Sequence, residues 1–298
     1  MEKIYAIVTM YKPNIKEFIS NLQMVSPQVN QVLILDNSED KKYYDALQKN
    51  STFQSLKNIK YIKMKKNLGL GAINSGIEIA KKEGADYVLL LDQDSTPTEN
   101  MVNLMLETYK KEEFSNQIAA IGPTMINRRT NETFKAKFKK GRSIDGDLAE
   151  VNQLPTSGML IPIKIIDKIG KLCEDLFLDV TDFEWCWRAK KEGFRIFRHK
   201  KAFLYHELGV GTKKIWFIEY NIPSPERQYY LFRNSIFAVS CKYAPFYMRL
   251  RYFIMIFLKP IIYAFLDKKR ERFKYTIKGI YDGIKKWIFS IDVCLPKR

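Results

Sequence analysis

The sequence predicts an α/β chain: a central, mostly parallel sheet covered by helices, followed by a basic, amphipathic helical region. Three observations carry that expectation. Apolar, β-branched runs alternate with helix-like stretches through the first half of the chain; polar residues collect at the carboxyl ends of those runs; and the composition turns strongly basic after about residue 225.

The strand-like runs are Ile4–Thr9, Val32–Asp36, Ile59–Lys63 and Tyr87–Asp92, with helix-like stretches at about Asn14–Val25, Asp40–Lys49 and Leu70–Glu83 between them. Continuous apolar strands separated by helices indicate a sheet buried on both faces. Residues 127–152 read as a polar, irregular excursion centred on KAKFKKGRSIDGD. Pro155–Ile161 returns to a strand pattern, Asp182–Glu192 reads as a helix, and Phe194–Phe197 and Ala202–Tyr205 resume strand character. The shift in composition divides the chain into an α/β domain, 1–225, and a helical region, 226–298.

A chain of 298 residues with 46% hydrophobic and 28% charged residues has globular composition. Its net charge of +17 points to polyanionic partners, either nucleic acid, anionic lipid or phosphorylated small molecules. Residues 241–298 hold 14 Lys/Arg against 4 Asp/Glu. There Phe253–Leu266 is the most apolar window, too short for the ~20 residues of a spanning helix and interrupted by Lys259–Pro260. Arg249, Arg251 and Lys268–Arg270 flank it. Such a segment either lies in an anionic membrane interface or packs on the main domain with a solvated basic face; the joint occurrence of aromatics and positive charge favours the membrane. Cys173, Cys186, Cys241 and Cys294 form no CxxC pair and read as thiols of a reducing compartment. Nothing at Met1 resembles a signal peptide, so the expected location is cytoplasmic.

The strongest chemical signal is LLLDQDST. Asp92 and Asp94, one residue apart at the end of the fourth strand, reach one small volume, and a hard divalent cation, Mn²⁺ or Mg²⁺, takes one or two carboxylates together with phosphate oxygens. The same residues also fit a turn in which Asp94 caps the next helix. Asp36, ending strand two in VLILDNSED, is placed to accept a hydrogen bond from a base, although Asp-Asn-Ser is equally turn chemistry. In NLGLGAINSG the glycines Gly69, Gly71 and Gly76 permit close approach of a ligand where the chain enters a helix, without the spacing of a dinucleotide fingerprint.

In LFLDVTDFEWCWRAKKEGF, Asp182 falls in the first turn of a helix, where its charged form is favoured. It is a candidate general base, with Asp179 as competitor. Glu184 and Arg188, four apart, suit a helical ion pair, and Trp185 suits the core. His206, after the strand in FLYHELG, is either structural or a ligand to Mn²⁺ or phosphate. The acidic cluster argues against a nucleic-acid partner.

Together these segments resemble the family 2 glycosyltransferases of the GT-A fold, in particular a bacterial rhamnosyltransferase branch. VTMYKP, VLILDNS, NLGLGAINSG, LLLDQDS, SGMLIP, FLDVTDFEWCWRAKKEGF, HELG and RQYYLFRN fall in the family's order between about Lys3 and Asn234. The resemblance implies donor contacts from Thr9, Asp36, Asn67, Gly71 and Asn74, with Asp92 and Arg188 added on the same side. It implies a divalent cation held by Asp92 and Asp94 with His206, and Asp182 as the catalytic base of an inverting transfer. The acidic motif departs from the family's usual Glu-Asp-x-Asp, reading Thr181-Asp182-Phe183-Glu184. That variant, and Gln93 within the acidic pair, resemble the rhamnosyltransferase branch and imply dTDP-L-rhamnose as donor, with a UDP-sugar as the alternative. The implied acceptor is a lipid-linked glycan of a bacterial surface polysaccharide, met at the inner membrane face.

Overall fold

A computed structural model describes residues 2–111, 115–134, 141–206, 212–215, 218–221 and 223–288. In chain order the elements are β1 (Ile4–Met10), α1 (Ile15–Val25), β2 (Gln31–Asp36), α2 (Lys42–Gln48), α3 (Ser51–Ser55), β3 (Ile59–Lys63), α4 (Ala72–Lys82), β4 (Tyr87–Asp92), β5 (Thr96–Pro97), α5 (Met101–Lys111), β6 (Ile118–Asn127), β7 (Arg142–Asp145), β8 (Leu148–Glu150), β9 (Met159–Pro162), α6 (Ile163–Ile169), α7 (Thr181–Lys191), β10 (Arg195–His206), β11 (Thr212–Ile215), β12 (Ile218–Asn221), α8 (Pro225–Ser240), α9 (Phe246–Tyr263) and α10 (Lys269–Gly283). They fall into two compact units: Met1–Leu172 with Ala189–Glu207, and Cys173–Arg188 with Leu208–Arg298. The second unit therefore takes in most of α7 as well as the tail.

In the first unit the sheet runs β3-β2-β1-β4-β9-β6-β10-β8-β7, with β5 paired to β10. β3, β2, β1 and β4 are parallel neighbours, as are β6 and β10, while β9 lies antiparallel between β4 and β6. Ala6, Ile7, Val32–Leu35 and Val88–Leu90 are buried along whole strands, the signature of a sheet covered on both faces. Among the described residues α1 starts at Asn14, whose side chain accepts from the Glu17 amide at 3.2 Å, an N-cap that satisfies an otherwise orphaned donor. Gly76 of α4 faces the sheet: a Cβ there would lie 2.7 Å from Ile7 Cγ2. Its close approach is to the core, not to a ligand.

Two expectations are corrected in this region. The segment read as irregular contains the β7–β8 hairpin, although residues 135–140 of its basic run lie outside the described residues. Phe194–Phe197 and Ala202–Tyr205 are one strand, β10, with a register shift between Arg198 and Phe203 that absorbs the polar residues between them.

The second unit is built on α8. Ser224 caps it by accepting from the Arg227 amide at 3.3 Å. α10 packs against α8 through Gly279 and Gly283, where a Cβ would stand 2.6 Å from Tyr229 O and 2.9 Å from Arg233 O. α9 continues through Pro260 instead of breaking at it; the proline falls in the last turn, where one backbone bond is lost. Met248, Tyr252 and Tyr263 are the buried side of α9. The opposite side is apolar too: Phe246, Leu250, Phe253, Phe257 and Ile261 are exposed, Phe257 at 60%, as is Phe265 just beyond the helix. No helix among the described residues is long and apolar enough to cross a membrane. Cys186 and Cys241 are buried free thiols as expected, whereas Cys173 is disulfide-bonded, a correction; Cys294 lies outside the described residues.

Candidate active site

In the first unit, parallel pairing of β1 with β2 and β4 sets Thr9 beside Asp92 and Met10 beside Asp36 at the carboxyl ends of the strands, where open α/β sheets bind ligands. Asp92 ends β4, and the chain turns through Gln93 and Asp94, with the Ser95 amide bonded to Asp92 O at 3.2 Å. β5 follows at once and pairs antiparallel with β10, Thr96 against Tyr205. That pairing carries His206, the last residue of β10, to the turn. Ligand atoms of Asp92, Asp94 and His206 all lie within 4.8 Å of one another, and His206 Nδ1 is 3.3 Å from Asp94 Oδ1. Two carboxylate oxygens and an imidazole nitrogen are a donor set that suits Mn²⁺ or Mg²⁺. Burial pushes the His206 imidazole down, but the hydrogen bond and charge of Asp94 and the charge of Asp92 outweigh it, so His206 sits above its ordinary value.

Neighbours hold this turn in shape. Ser157 donates to Asp92 Oδ2. Gln93 accepts from the Tyr11 amide at 2.7 Å through its side chain and from Asn21 Nδ2 at 2.9 Å through its carbonyl. Arg128, at the end of β6, donates to Asp94 O at 2.8 Å and to Thr96 Oγ1 at 2.5 Å, and is itself paired with Glu17. Sequence reasoning missed Asn21, Arg128 and Ser157 as supports. The Ser-Gly turn before β9 was the one visible signal: Gly158 has φ of 83°, and its amide bonds Leu90 O at 2.7 Å.

The residues expected along the nucleotide are distributed unevenly. Thr9 is half-buried at the end of β1. Asn67 accepts from the Gly69 amide at 2.9 Å, shaping the turn that leads through Gly71 into α4. Asp36 is fully buried. One oxygen accepts from the Ser38 amide at 2.7 Å, and the other from Tyr61 Oη and from Lys63 Nζ at 2.9 Å. Burial and the hydrogen bond to Asp36 push the Tyr61 phenol upward, so it stays a donor to that carboxylate. Asn74 Nδ2 donates to Leu172 O at 2.9 Å and its Oδ1 accepts from Leu172 N at 3.1 Å. Both ends of the amide are bonded to backbone.

In the second unit Asp182 lies in the first turn of α7, half-buried, with Oδ1 accepting from the Phe183 amide at 2.9 Å. Glu184 and Arg188 form the expected pair: Nε to Oε1 at 2.8 Å and Nη2 to Oε2 at 2.9 Å, at 0% and 2% side-chain exposure. Tyr243 Oη adds a bond to Glu184 Oε1 at 2.7 Å. The Arg188 guanidinium forks onto this buried carboxylate. Trp185 is buried, as read. Asp179 is paired with Arg227 at 2.8 Å.

This arrangement can be set beside known proteins. The chain is 26% identical over 293 residues to a dTDP-rhamnosyl transferase, RfbF, of Shigella flexneri, covering 95% of each chain. It is 24% identical over 302 residues to the low-salt glycan biosynthesis hexosyltransferase Agl10 of Haloferax volcanii, covering 96% of this chain and 92% of the relative. Among solved structures, GalNAc-T7, crystallised with UDP, GalNAc and Mn²⁺, superposes with a TM-score of 0.59 at 11% identity. The superposition takes in 99% of this chain but only 58% of that one. The mannosyltransferase PcManGT of Pyrobaculum calidifontis, in complex with GDP-Man and Mn²⁺, gives 0.55 at 11% identity, covering 95% and 87%. Such distant likenesses establish the fold, which is that of the GT-A glycosyltransferases. The family model for glycosyl transferase family 2 matches residues 6–160, more than half of the chain and the stretch that holds both aspartates of the strand-tip turn; the chain belongs to that family.

Proposed function

We propose that the chain is an inverting rhamnosyltransferase that moves L-rhamnose from dTDP-L-rhamnose to a lipid-linked glycan during synthesis of a bacterial surface polysaccharide. The observation that carries the reading is the Asp92–Asp94–His206 cluster at the strand tips of a family 2 chain, taken with its near full-length likeness to a dTDP-rhamnosyl transferase. The likeness to a hexosyltransferase supports the second reading, a UDP-hexose donor.

In this proposal Thr9, Asp36, Asn67 and Gly71 bind the nucleotide, and Asp92, Asp94 and His206 hold a divalent cation. When bound, such a cation neutralises charge on the departing diphosphate. Asp182 takes the proton of the acceptor hydroxyl as its oxygen attacks the anomeric carbon from the face opposite the leaving group. One bond forms, one breaks, and the configuration inverts. Asp36 has to share its carboxylate between Tyr61, Lys63 and an incoming base. Its alternative role is to hold the end of β3 against β2.

The exposed apolar side of α9 supports a peripheral place on the inner membrane face. At 100° per residue, Phe246, Leu250, Phe253, Phe257 and Ile261 fall on one arc, with Arg249 at one border and Arg251 at the other. An apolar face edged by cations suits an anionic interface, at about 1 kcal/mol per basic residue.

The deciding experiment measures nucleotide release from dTDP-L-rhamnose and a panel of UDP-sugars, with and without Mn²⁺. Mn²⁺-dependent turnover of dTDP-L-rhamnose alone is expected. Turnover of a UDP-hexose in its place selects the second reading, and no turnover of any donor overturns both. Flotation with vesicles containing phosphatidylglycerol, against neutral vesicles, tests the membrane part separately.

A further inference from the structure

We propose that Arg233 and Asn234 of α8 are positioning residues for the reaction: they hold the segment Leu176–Val180 in a backbone shape that its own residues disfavour, and so fix the first turn of α7 and Asp182. The proposal rests on the reading of Asp182 as the base.

The segment is unusual. Phe177, Asp179 and Val180 have φ of 63°, 54° and 66°, and none is glycine. Left-handed backbone is sterically unfavourable for L-residues, and for a β-branched residue such as Val180 it is a true outlier. Phe177, with ψ of −57°, centres a three-residue turn closed by the Leu178 amide on Leu176 O at 2.7 Å, the strained form of the γ-turn. Local preference does not produce this path, so contacts from elsewhere must.

Those contacts come from α8. Arg233 Nη2 donates to Asp175 O at 2.7 Å and Leu176 O at 2.8 Å. Asn234 Nδ2 donates to Leu176 O at 2.8 Å, to Leu178 O, and to Asp179 O at 3.2 Å. Arg233 Nε also donates to Asn234 Oδ1 at 3.0 Å, which turns the amide so that its NH₂ faces the loop. Asn234 is fully buried and Arg233 nearly so. One and two turns earlier on the helix, Tyr230 stacks on Phe177 at 4.7 Å and Arg227 holds the Asp179 carboxylate. Four side chains of one helix thus grip five consecutive residues.

The grip passes directly to the base. Val180 O, on the last strained residue, accepts the Glu184 amide at 2.7 Å, the first rung of α7, and Asp182 lies inside that turn. Strain held in place by surrounding structure collects where function needs a fixed geometry. A segment needed only as a connection would gain from glycine at Val180.

The test uses the full-length protein and follows Mn²⁺-dependent release of dTDP from dTDP-L-rhamnose, with water as acceptor. Asn234→Ala is expected to lower kcat at least 30-fold, with KM for the donor within threefold of wild type. Adding Val180→Gly should restore kcat at least fivefold over Asn234→Ala alone, because glycine takes φ near 66° without help. A purely structural role predicts the opposite, since Val180→Gly also removes a buried side chain. If Asn234→Ala does not fold, Arg233→Lys, alone and with Val180→Gly, is read by the same split. Asp182→Asn is the control. If it is inactive while Asn234→Ala keeps kcat within threefold, or while Val180→Gly restores nothing, the positioning proposal falls and the function stands. If Asp182→Asn keeps full activity, the reading of the base itself falls.

Discussion

Replacing Glu184 with Gln tests what holds α7 together. Glu184 and Arg188 are side by side at 0% and 2% side-chain exposure, joined by two bonds below 3 Å, with Tyr243 as a third partner. Burial pushes the Arg188 guanidinium down, but the Glu184 charge and hydrogen bond outweigh it and hold it above its ordinary value. Gln keeps the shape and removes the charge, so the buried Arg188 loses the carboxylate charge it is paired with. Breaking a buried pair in this way costs about 3–5 kcal/mol. Replacing both partners, with Glu184→Leu and Arg188→Met, removes the need for solvation and the pairing together, and is expected within about 2 kcal/mol of wild type. Tyr243→Phe, which removes one bond to a charged acceptor, should cost about 1.5–3 kcal/mol. Trp185 and Trp187 lie in the same helix and are buried, so their fluorescence during urea unfolding reports this unit directly. A single Gln variant costing less than about 1 kcal/mol, or a double variant as damaged as the single, would refute the reasoning.

Further outcomes follow from the strand-tip turn and its supports. Asp94→Ala should abolish measurable Mn²⁺ binding by calorimetry, and Ser157→Ala, which only removes the bond that orients Asp92, should weaken it about 10- to 100-fold; equal effects would mean that Ser157 is not a supporting residue. Mn²⁺ needs the neutral imidazole, and His206 sits above its ordinary value. Affinity should therefore fall with decreasing pH, starting above the usual histidine range, and His206→Gln should flatten that dependence. Asn74→Ala strands the Leu172 amide and carbonyl, at about 1–3 kcal/mol for each unsatisfied group, while dTDP affinity stays within twofold. A large loss of nucleotide affinity with unchanged stability would restore Asn74 to the donor site.

The parts of the fold that were legible share a property: their signal is local. β1, β2 and β4 are apolar runs that end in polar residues at the carboxyl edge of the sheet. Asp92 and Asp94 could thus be placed from the strand alone, and Glu184 with Arg188 from the helical spacing. His206 was harder, because its approach to Asp94 depends on β5 pairing with β10, a contact across 109 residues that no spacing shows. Arg128 and Asn21 support the turn across 34 and 72 residues and left no sign. The partners of Asn74 and Arg188, the Leu172 backbone and the Glu184 carboxylate, differ in the same way: the first is 98 residues away and left no sign, the second is one helical turn away and did.

The same limit explains why the tail was read as an attachment. A run of 14 basic residues and an apolar window says membrane or solvent, because charge and hydropathy are what a sequence displays. Bond geometry is not. Arg233 and Asn234 stand in RQYYLFRN as a polar pair on an aromatic helix, and Phe177, Asp179 and Val180 look like ordinary loop residues. Only coordinates show that the pair donates to the carbonyls of a left-handed path. Compact units drawn from contacts place Cys173–Arg188 with the tail and not with the sheet. The helical region therefore builds the segment that carries Asp182, whatever it does at a membrane. α9 supplies the surface expected to meet lipid, α8 supplies the grip, and Tyr243 in the connection between them bonds Glu184 in the first turn of α7. A change in how α8 sits would reach the first turn of α7, which carries Asp182, through at most two hydrogen bonds.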